Sequence, residues 1–365
     1  MRYILSVSVF ILGLLMLPGC ETMRYFSHAA IGQLDMELKK ESVAQLMEDP
    51  ETLDNLKRRL KLVAELKQFA KEKTLLPLSD EFSTYVAIER EHVLWSLFVT
   101  PAYELRPQPW CYPIAGCISY RSYFDHEYAI ERSYFYQQQG LDVFIAPAAA
   151  YSTLGWFSDP LLNTYIYSSD DRLASIIFHE LGHQLYYIPS DVLFNEAFAS
   201  FVERFYVMKW LQFSNRKELM TSFVEGENRH TSMLRLMSAV REKLQRVYQL
   251  DISDAEKKIK KAEIIRLFEV DYNDWKTRWE DYSGYDFWLS GGVNNAKLAT
   301  VSTYYRWIPV FDFILQQHNC NFIHFMEEIE QLSNLSLDDR KAKFENILAQ
   351  LPSDQAFNAQ QYSCQ

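Results

Sequence analysis

One segment constrains the fold of this chain more than any other: Ile176–Glu203, IIFHELGHQLYYIPSDVLFNEAFASFVE. His179 and His183 stand four residues apart with Glu180 between them, and residues four apart share one face of a helix. Leu173, Ile176, Ile177 and Phe178 lead into them, and Gly182 permits close backbone approach beside His183. Ionisable groups after so apolar a run are costly unless they are paired or ligating. Pro189 then breaks the helix and Ser190-Asp191 opens another. The pattern predicts a helix over 171–187 and a second from 191 to about 213, folded back on the first.

The two imidazoles suit one tetrahedral metal ion, and Zn2+ fits imidazole and carboxylate donors without redox demands. Glu180 lies about 100° round the helix from His179, on the open side of such an ion, where a general base and acid is needed. The third ligand is expected from the returning helix. Glu196 is the first candidate, and Glu203, seven residues on and near the same face, is its competitor. Asp191 sits where a helix cap belongs. No third histidine follows at metzincin spacing, since Pro189 occupies that position. The bland alternative is a half-exposed helix carrying two histidines and a solvated glutamate.

The chain has 365 residues, 48% of them hydrophobic and 15% aromatic, enough for a substantial core. Its net charge of −11 argues against a nucleic-acid partner. At the N-terminus, Arg2 precedes an uncharged apolar run, Tyr3–Leu17, closed by Leu17-Pro18-Gly19-Cys20. That is the layout of a signal peptide over 1–19, too short for an ordinary membrane span. Cys20 resembles the acylated cysteine of a bacterial lipobox. Glu21 behind it favours the outer membrane, facing the periplasm, over inner-membrane retention. In such an oxidising compartment Cys111 and Cys117 are expected to close a small loop, and Cys320 to pair with Cys364.

Residues 20–365 read as one α+β domain. A helical region covers about 30–75, with Pro50 at a first helical position. WSLFVT, CISYRSYF and LDVFIAP read as strands of a mixed sheet. The C-terminal half is mostly helical. Within it a charged helical hairpin occupies about 215–285, with Ser253 and Glu256 as a capping box. Its run KKIKK reads as a solvated helix face. Helices around 295–317 and 320–332 complete the core.

With its HExxH pattern followed by NEAFA, the chain resembles the gluzincin metallopeptidases, whose glutamate ligand lies in a second helix reading NExxA. Twelve residues separate His183 from Glu196, fewer than in the familiar gluzincin aminopeptidases. The chain is more closely similar to a bacterial family of lipoprotein-like aminopeptidases. The blocks that carry this are LPGC, WCYPIAGCISYRSYF, GLDVFIAPAAAYSTLGWFSDPLLNT, FHELGHQLYY, FNEAFASFVE and NNAKLATVSTYYRWIPVF.

The resemblance implies zinc-dependent removal of N-terminal residues from a peptide substrate, and a tyrosine donor for the oxyanion, for which Tyr304 lies in the right region. An edge for an extended substrate is expected at Ala150–Trp156, where Tyr151, Ser152 and Thr153 are candidates. Asn294 and Asn295 either bind substrate carbonyls or cap a helix. Glu203 is a candidate for the substrate amine if it is not a ligand. The competing readings are a zinc endopeptidase and a non-catalytic envelope lipoprotein that binds peptides or assists assembly. Nothing in the sequence sets an oligomeric state.

Overall fold

A computed structural model describes residues 21–77, 81–112, 116–150, 159–352 and Phe357, without the side chains of 302–305. Mixed α and β structure is present, with helices dominant and small sheets. The N-terminal part carries helix α1 (residues 21–38), β1 (Glu41–Ser42), α2 (Val43–Glu48) and α3 (Asp54–Lys73). α3 begins four residues after Pro50, not at it. Asp49 caps the end of α2, and its side chain accepts from the Glu51 N–H at 2.9 Å, so Pro50 falls in a turn. Leu60, Val63, Leu66 and Ala70 recur at helical spacing and turn one stripe of α3 into the main core.

WSLFVT and LDVFIAP become strands, whereas CISYRSYF, expected as one, is split between two strands of different sheets, and the sheets are smaller than the expected one. β3 (Leu94–Thr100) lies between β6 (Arg121–Tyr123) and β7 (Asp142–Ala148), antiparallel to both, with Leu97 opposite Ile145 and Arg121. β4 (Trp110–Tyr112) and β5 (Gly116–Ile118) form a separate hairpin closed by the expected Cys111–Cys117 disulfide. Mixed pairing is confined to β1, β2 (Thr84–Val86) and β8 (Leu161–Leu162), where β2 is antiparallel to β1 and parallel to β8. Strands of two or three residues form too few ladder bonds to join one sheet. A helix absent from the expectation, α4 (His126–Gln137), packs on β3 and β7. Its signal is the Asp125 cap, which accepts from Glu127 and Tyr128.

Two long helices form the centre: α5 (Asp170–Leu185) and α6 (Val192–Phe213), the pair predicted on either side of Pro189. Their axes close at Gly182, where an added Cβ would meet the Ala199 Cα at 3.0 Å. Phe194, Phe198 and Phe201 of α6 fill the space toward α11 (Ile308–Gln317) and α12 (Phe322–Ser333). The charged hairpin consists of α7 (Lys217–Tyr248) and α8 (Asp254–Arg278), capped by Ser253 and Glu256 as expected. It buries its own cluster of Met233, Met237, Leu244, Phe268 and Trp275. Lys261 of the basic run reaches Asp142 at 2.6 Å, tying the hairpin to β7.

After the short α9 (Asp286–Leu289), the stretch read as 295–317 is split. α10 (Asn295–Tyr305) ends at Arg306, and α11 restarts with Pro309 in its first turn. The last described helix is α13 (Leu337–Leu348). Its Arg340 passes under the α5–α6 connection and grips Asp191 with Nε at 2.9 Å and Nη2 at 2.7 Å. Both side chains are 3% exposed, and Arg340 also donates to three backbone carbonyls at the end of α12. Removing one member of a buried pair leaves an uncompensated charge. Arg340→Ala is expected to destabilise the protein by about 3–5 kcal/mol in urea unfolding.

Candidate functional site

Site geometry starts from the connection between α5 and α6. Ser190 takes a left-handed backbone, φ 66°, and turns the chain directly after Pro189. Asp191 caps α6, accepting from the Phe194 N–H at 3.2 Å, the capping role expected of it. Asn195 closes the loop: its Nδ2 donates to the Ile188 carbonyl and its Oδ1 accepts from the Ile188 N–H, both at 2.8 Å. Asn195 is 2% exposed and imitates a backbone pairing partner. It was missed as a positioning residue in the sequence, although it directly precedes Glu196.

With the loop fixed, Glu196 faces the histidines. Its Oε2 stands 3.6 Å from His179 Nε2 and its Oε1 3.8 Å from His183 Nε2. One ligand atom from each of the three lies within 4.8 Å of the others, a group able to hold a metal ion. Glu203, about two turns further along α6, meets the opposite nitrogen of the His179 ring, Nδ1, at 3.2 Å. Glu196 and Glu203 therefore bracket one imidazole, one on the open side and one behind it. A carboxylate behind a ligating histidine fixes the ring's tautomer and raises its basicity.

Electrostatics separates the roles further. Burial would lower the His179 pKa, but its hydrogen bonds to Glu196 and Glu203 outweigh this and hold it well above the ordinary value. Burial and the neighbouring His179 push His183 down to about 4, leaving a neutral imidazole. Burial would raise Glu196 and Glu203, yet their bonds to His179 bring both below the usual carboxylate range. Glu180 goes the other way: burial raises it to about 7, His179 opposes the rise, and Asp159, Glu196 and Glu203 add to it. Its Oε2 and the His183 Nδ1 are buried with no hydrogen-bond partner among the described residues.

Other candidates are placed less centrally. Asn294 caps α10, accepting from Lys297, and donates to the Val143 carbonyl. Asn295 is fully buried and bonds to Tyr248 and to the carbonyls of Pro101 and Ala102. Asn294 thus takes the capping role, while Asn295 does not cap and ties the start of α10 to Tyr248 and the segment after β3. Cys320 is disulfide-bonded. Cys20, Tyr151, Ser152, Thr153 and Cys364 lie outside the described residues. Tyr304 falls in the last turn of α10, and its side chain is outside them as well.

Two tyrosines that the sequence did not single out border the site. Burial, then the charge of Glu196, raises the pKa of both the Tyr120 and the Tyr187 phenol; Tyr187 and Glu180 add to the effect at Tyr120. Each is a neutral donor at physiological pH. Tyr120 lies in the short link between β5 of the disulfide-closed hairpin and β6, and the hairpin presses Gly116 against Ser190, where an added Cβ would stand 2.8 Å from the hydroxyl. No periodicity marks Tyr120; only the fold brings it beside the helix pair.

A carboxyl whose pKa is raised on folding binds its proton more tightly in the folded state. Its contribution to stability is therefore largest at low pH and declines as pH rises from about 4.5 to about 7. Metal-free Glu180→Gln protein is expected to be more stable than the parent above pH 7, with the difference vanishing near pH 4.5. Thermal unfolding in chelator across that range reads this directly.

The sequence model of a family described as putative aminopeptidase matches residues 24–344. No curated protein matches the chain, and no solved structure does. The match takes in both central helices, the sheets, the hairpin and α10 to α12. The chain belongs to the putative aminopeptidase family, whose name is that of a peptide hydrolase.

Proposed function

We propose that the protein is a zinc-dependent aminopeptidase of the gluzincin type, with His179, His183 and Glu196 as ligands and Glu180 as general base and acid. The observation that carries this reading is the convergence of two imidazole nitrogens and one carboxylate around a common point. Bonds of about 2.0–2.1 Å in a tetrahedron put neighbouring ligand atoms about 3.4 Å apart. The separations of 3.6 and 3.8 Å run to the two different oxygens of Glu196, and one atom from each residue lies within 4.8 Å of the others, so a bound ion would draw the three groups inward. The donor set and the buried Glu180 Oε2, which has no hydrogen-bond partner among the described residues, fit a site that is completed by an ion and a substrate.

When bound, zinc would lower the pKa of a water molecule to about 7 and polarise the scissile carbonyl. Glu180, beside the two histidines on the same helix, would take a proton from the attacking water and return it to the leaving amine. Glu203 holds the His179 ring by Nδ1 and keeps Nε2 facing the ion. Tyr120 and Tyr187 are neutral phenols beside Glu196, suited to donate to an oxygen that gains negative charge. Tyr304 keeps its candidacy for the same task. Cys20 is read as the acylated N-terminus of an exported, envelope-bound chain, on the LPGC sequence.

Metal analysis of the purified protein is expected to give one zinc per chain. Glu180→Gln is expected to retain that zinc and to lose turnover of amino-acid amides by at least about a hundredfold. A protein that binds no zinc, or a Glu180→Gln variant that still hydrolyses, overturns the mechanism. Peptides with a blocked N-terminus are expected to resist cleavage; their hydrolysis would mark an endopeptidase.

The two acids on α6 are expected to separate in a zinc titration. Glu196→Ala removes a ligand and should abolish stoichiometric binding. Glu203→Gln removes only the support behind His179 and should weaken affinity about 10–100-fold. The reverse order would exchange their roles.

A further inference from the structure

Helix α1 is fastened to the protein mainly along one side, with Arg24 paired to Glu131 and Phe26 meeting the Tyr112 ring at the margins. Tyr25 packs edge-on against Tyr123 beneath the Arg121 guanidinium, and Met36 is fully buried. His28 Nε2 accepts the Phe124 N–H at 3.0 Å. Gly32 sits so close to the Phe124 ring that an added Cβ would come within 2.1 Å of it. These contacts fix which face of the helix looks outward.

That outward face is apolar. Met23, Phe26, Ile31, Leu34 and Leu38 are 69%, 48%, 68%, 57% and 77% exposed. At 100° per residue they fall, with Ala30, in one arc of about 140°. The polar members of the arc are Ser27 and Glu37, and Glu37 is turned into contacts with Gln33 and Lys40. An apolar stripe of this extent on a soluble surface marks a docking face.

What covers it follows from the chain just before it. Tyr3–Leu17 is uncharged and largely apolar, and LPGC ends at Cys20, one residue ahead of α1. On the envelope-anchoring reading of Cys20 above, α1 begins at a bilayer. No described helix is long and apolar enough to cross a membrane. An 18-residue helix of about 27 Å with one apolar face suits the plane of the membrane surface instead.

We propose that α1 lies in the interfacial layer of the bilayer, with Met23, Phe26, Ile31, Leu34 and Leu38 among the acyl chains. This rests on the envelope-anchoring reading above and adds an orientation to it: the protein is held flat against the lipid, not tethered loosely by its end.

The test uses the full chain reconstituted in phosphatidylcholine–phosphatidylglycerol vesicles. An environment-sensitive fluorophore is attached at Ile31→Cys or Leu38→Cys, and at the control positions Lys39→Cys and Lys258→Cys. Nitroxide-labelled lipids are expected to quench positions 31 and 38 several-fold more than the controls. Equal quenching at all four positions overturns the proposal. So does a label at 31 or 38 that is shielded from water yet unquenched, which would mean a second copy of the chain covers the face. A chain that stays out of the vesicle fraction also overturns it. Mass spectrometry of the N-terminus reads the anchor separately. Acylation without selective quenching removes only the helix orientation, whereas selective quenching without acylation keeps it and removes the lipidated Cys20.

Discussion

The close contact of α5 with α6 at Gly182 is the constraint on which the rest depends. Backbone-to-backbone approach with no side chain between the helices lets residues from both reach a common point. His179 and His183 come from one helix, Glu196 and Glu203 from the other. A wider spacing would separate the donor atoms. The aromatic layer of Phe194, Phe198 and Phe201 presses on the far side of α6, and α11 and α12 back that layer. Much of the C-terminal half thus acts as a support that holds one helix against another.

The connection between the two helices is held by polar groups. Asp191 is paired with Arg340, Asn195 with the Ile188 backbone, and Ser190 bears a left-handed φ. Asp191 and Asn195 are themselves buried, where an unmet hydrogen bond costs about 1–3 kcal/mol. The same economy operates inside the site. Two lowered carboxylates share one raised histidine, and the fourth group, Glu180, is left near neutrality.

What was legible in the sequence was mainly local. The helix pair around Pro189, the Ser253–Glu256 cap and the Cys111–Cys117 loop each follow from residues within a few positions of one another. Helical spacing brought His179, Glu180 and His183 to one face, and the two acids downstream were both visible. Which acid faces which ring nitrogen was not, because it depends on how far the turn rotates α6, and Asn195 and Arg340 set that rotation. Tyr120 was invisible for a related reason: it reaches the site through a hairpin docked on Ser190, a contact across more than 70 positions. The sheet was over-read as a single one, since residue type indicates a strand but not its neighbour. α4 was missed because its aromatic-rich sequence reads more like strand than helix.

The brevity of the α5–α6 connection bears on how the cleft adapts to what enters it. Only the six residues 186–191 join the helices, and the fastening at Asp191 and Asn195 leaves little slack for the helices to part. Variation in the size of a bound residue must be absorbed by the surrounding walls, among them the disulfide-closed hairpin that leans on Ser190. A lineage altering its preference would thus be expected to rewrite the walls and leave the strap alone. Tolerance to change should run outward from the turn, lowest at Ser190–Asn195 and rising toward the rim.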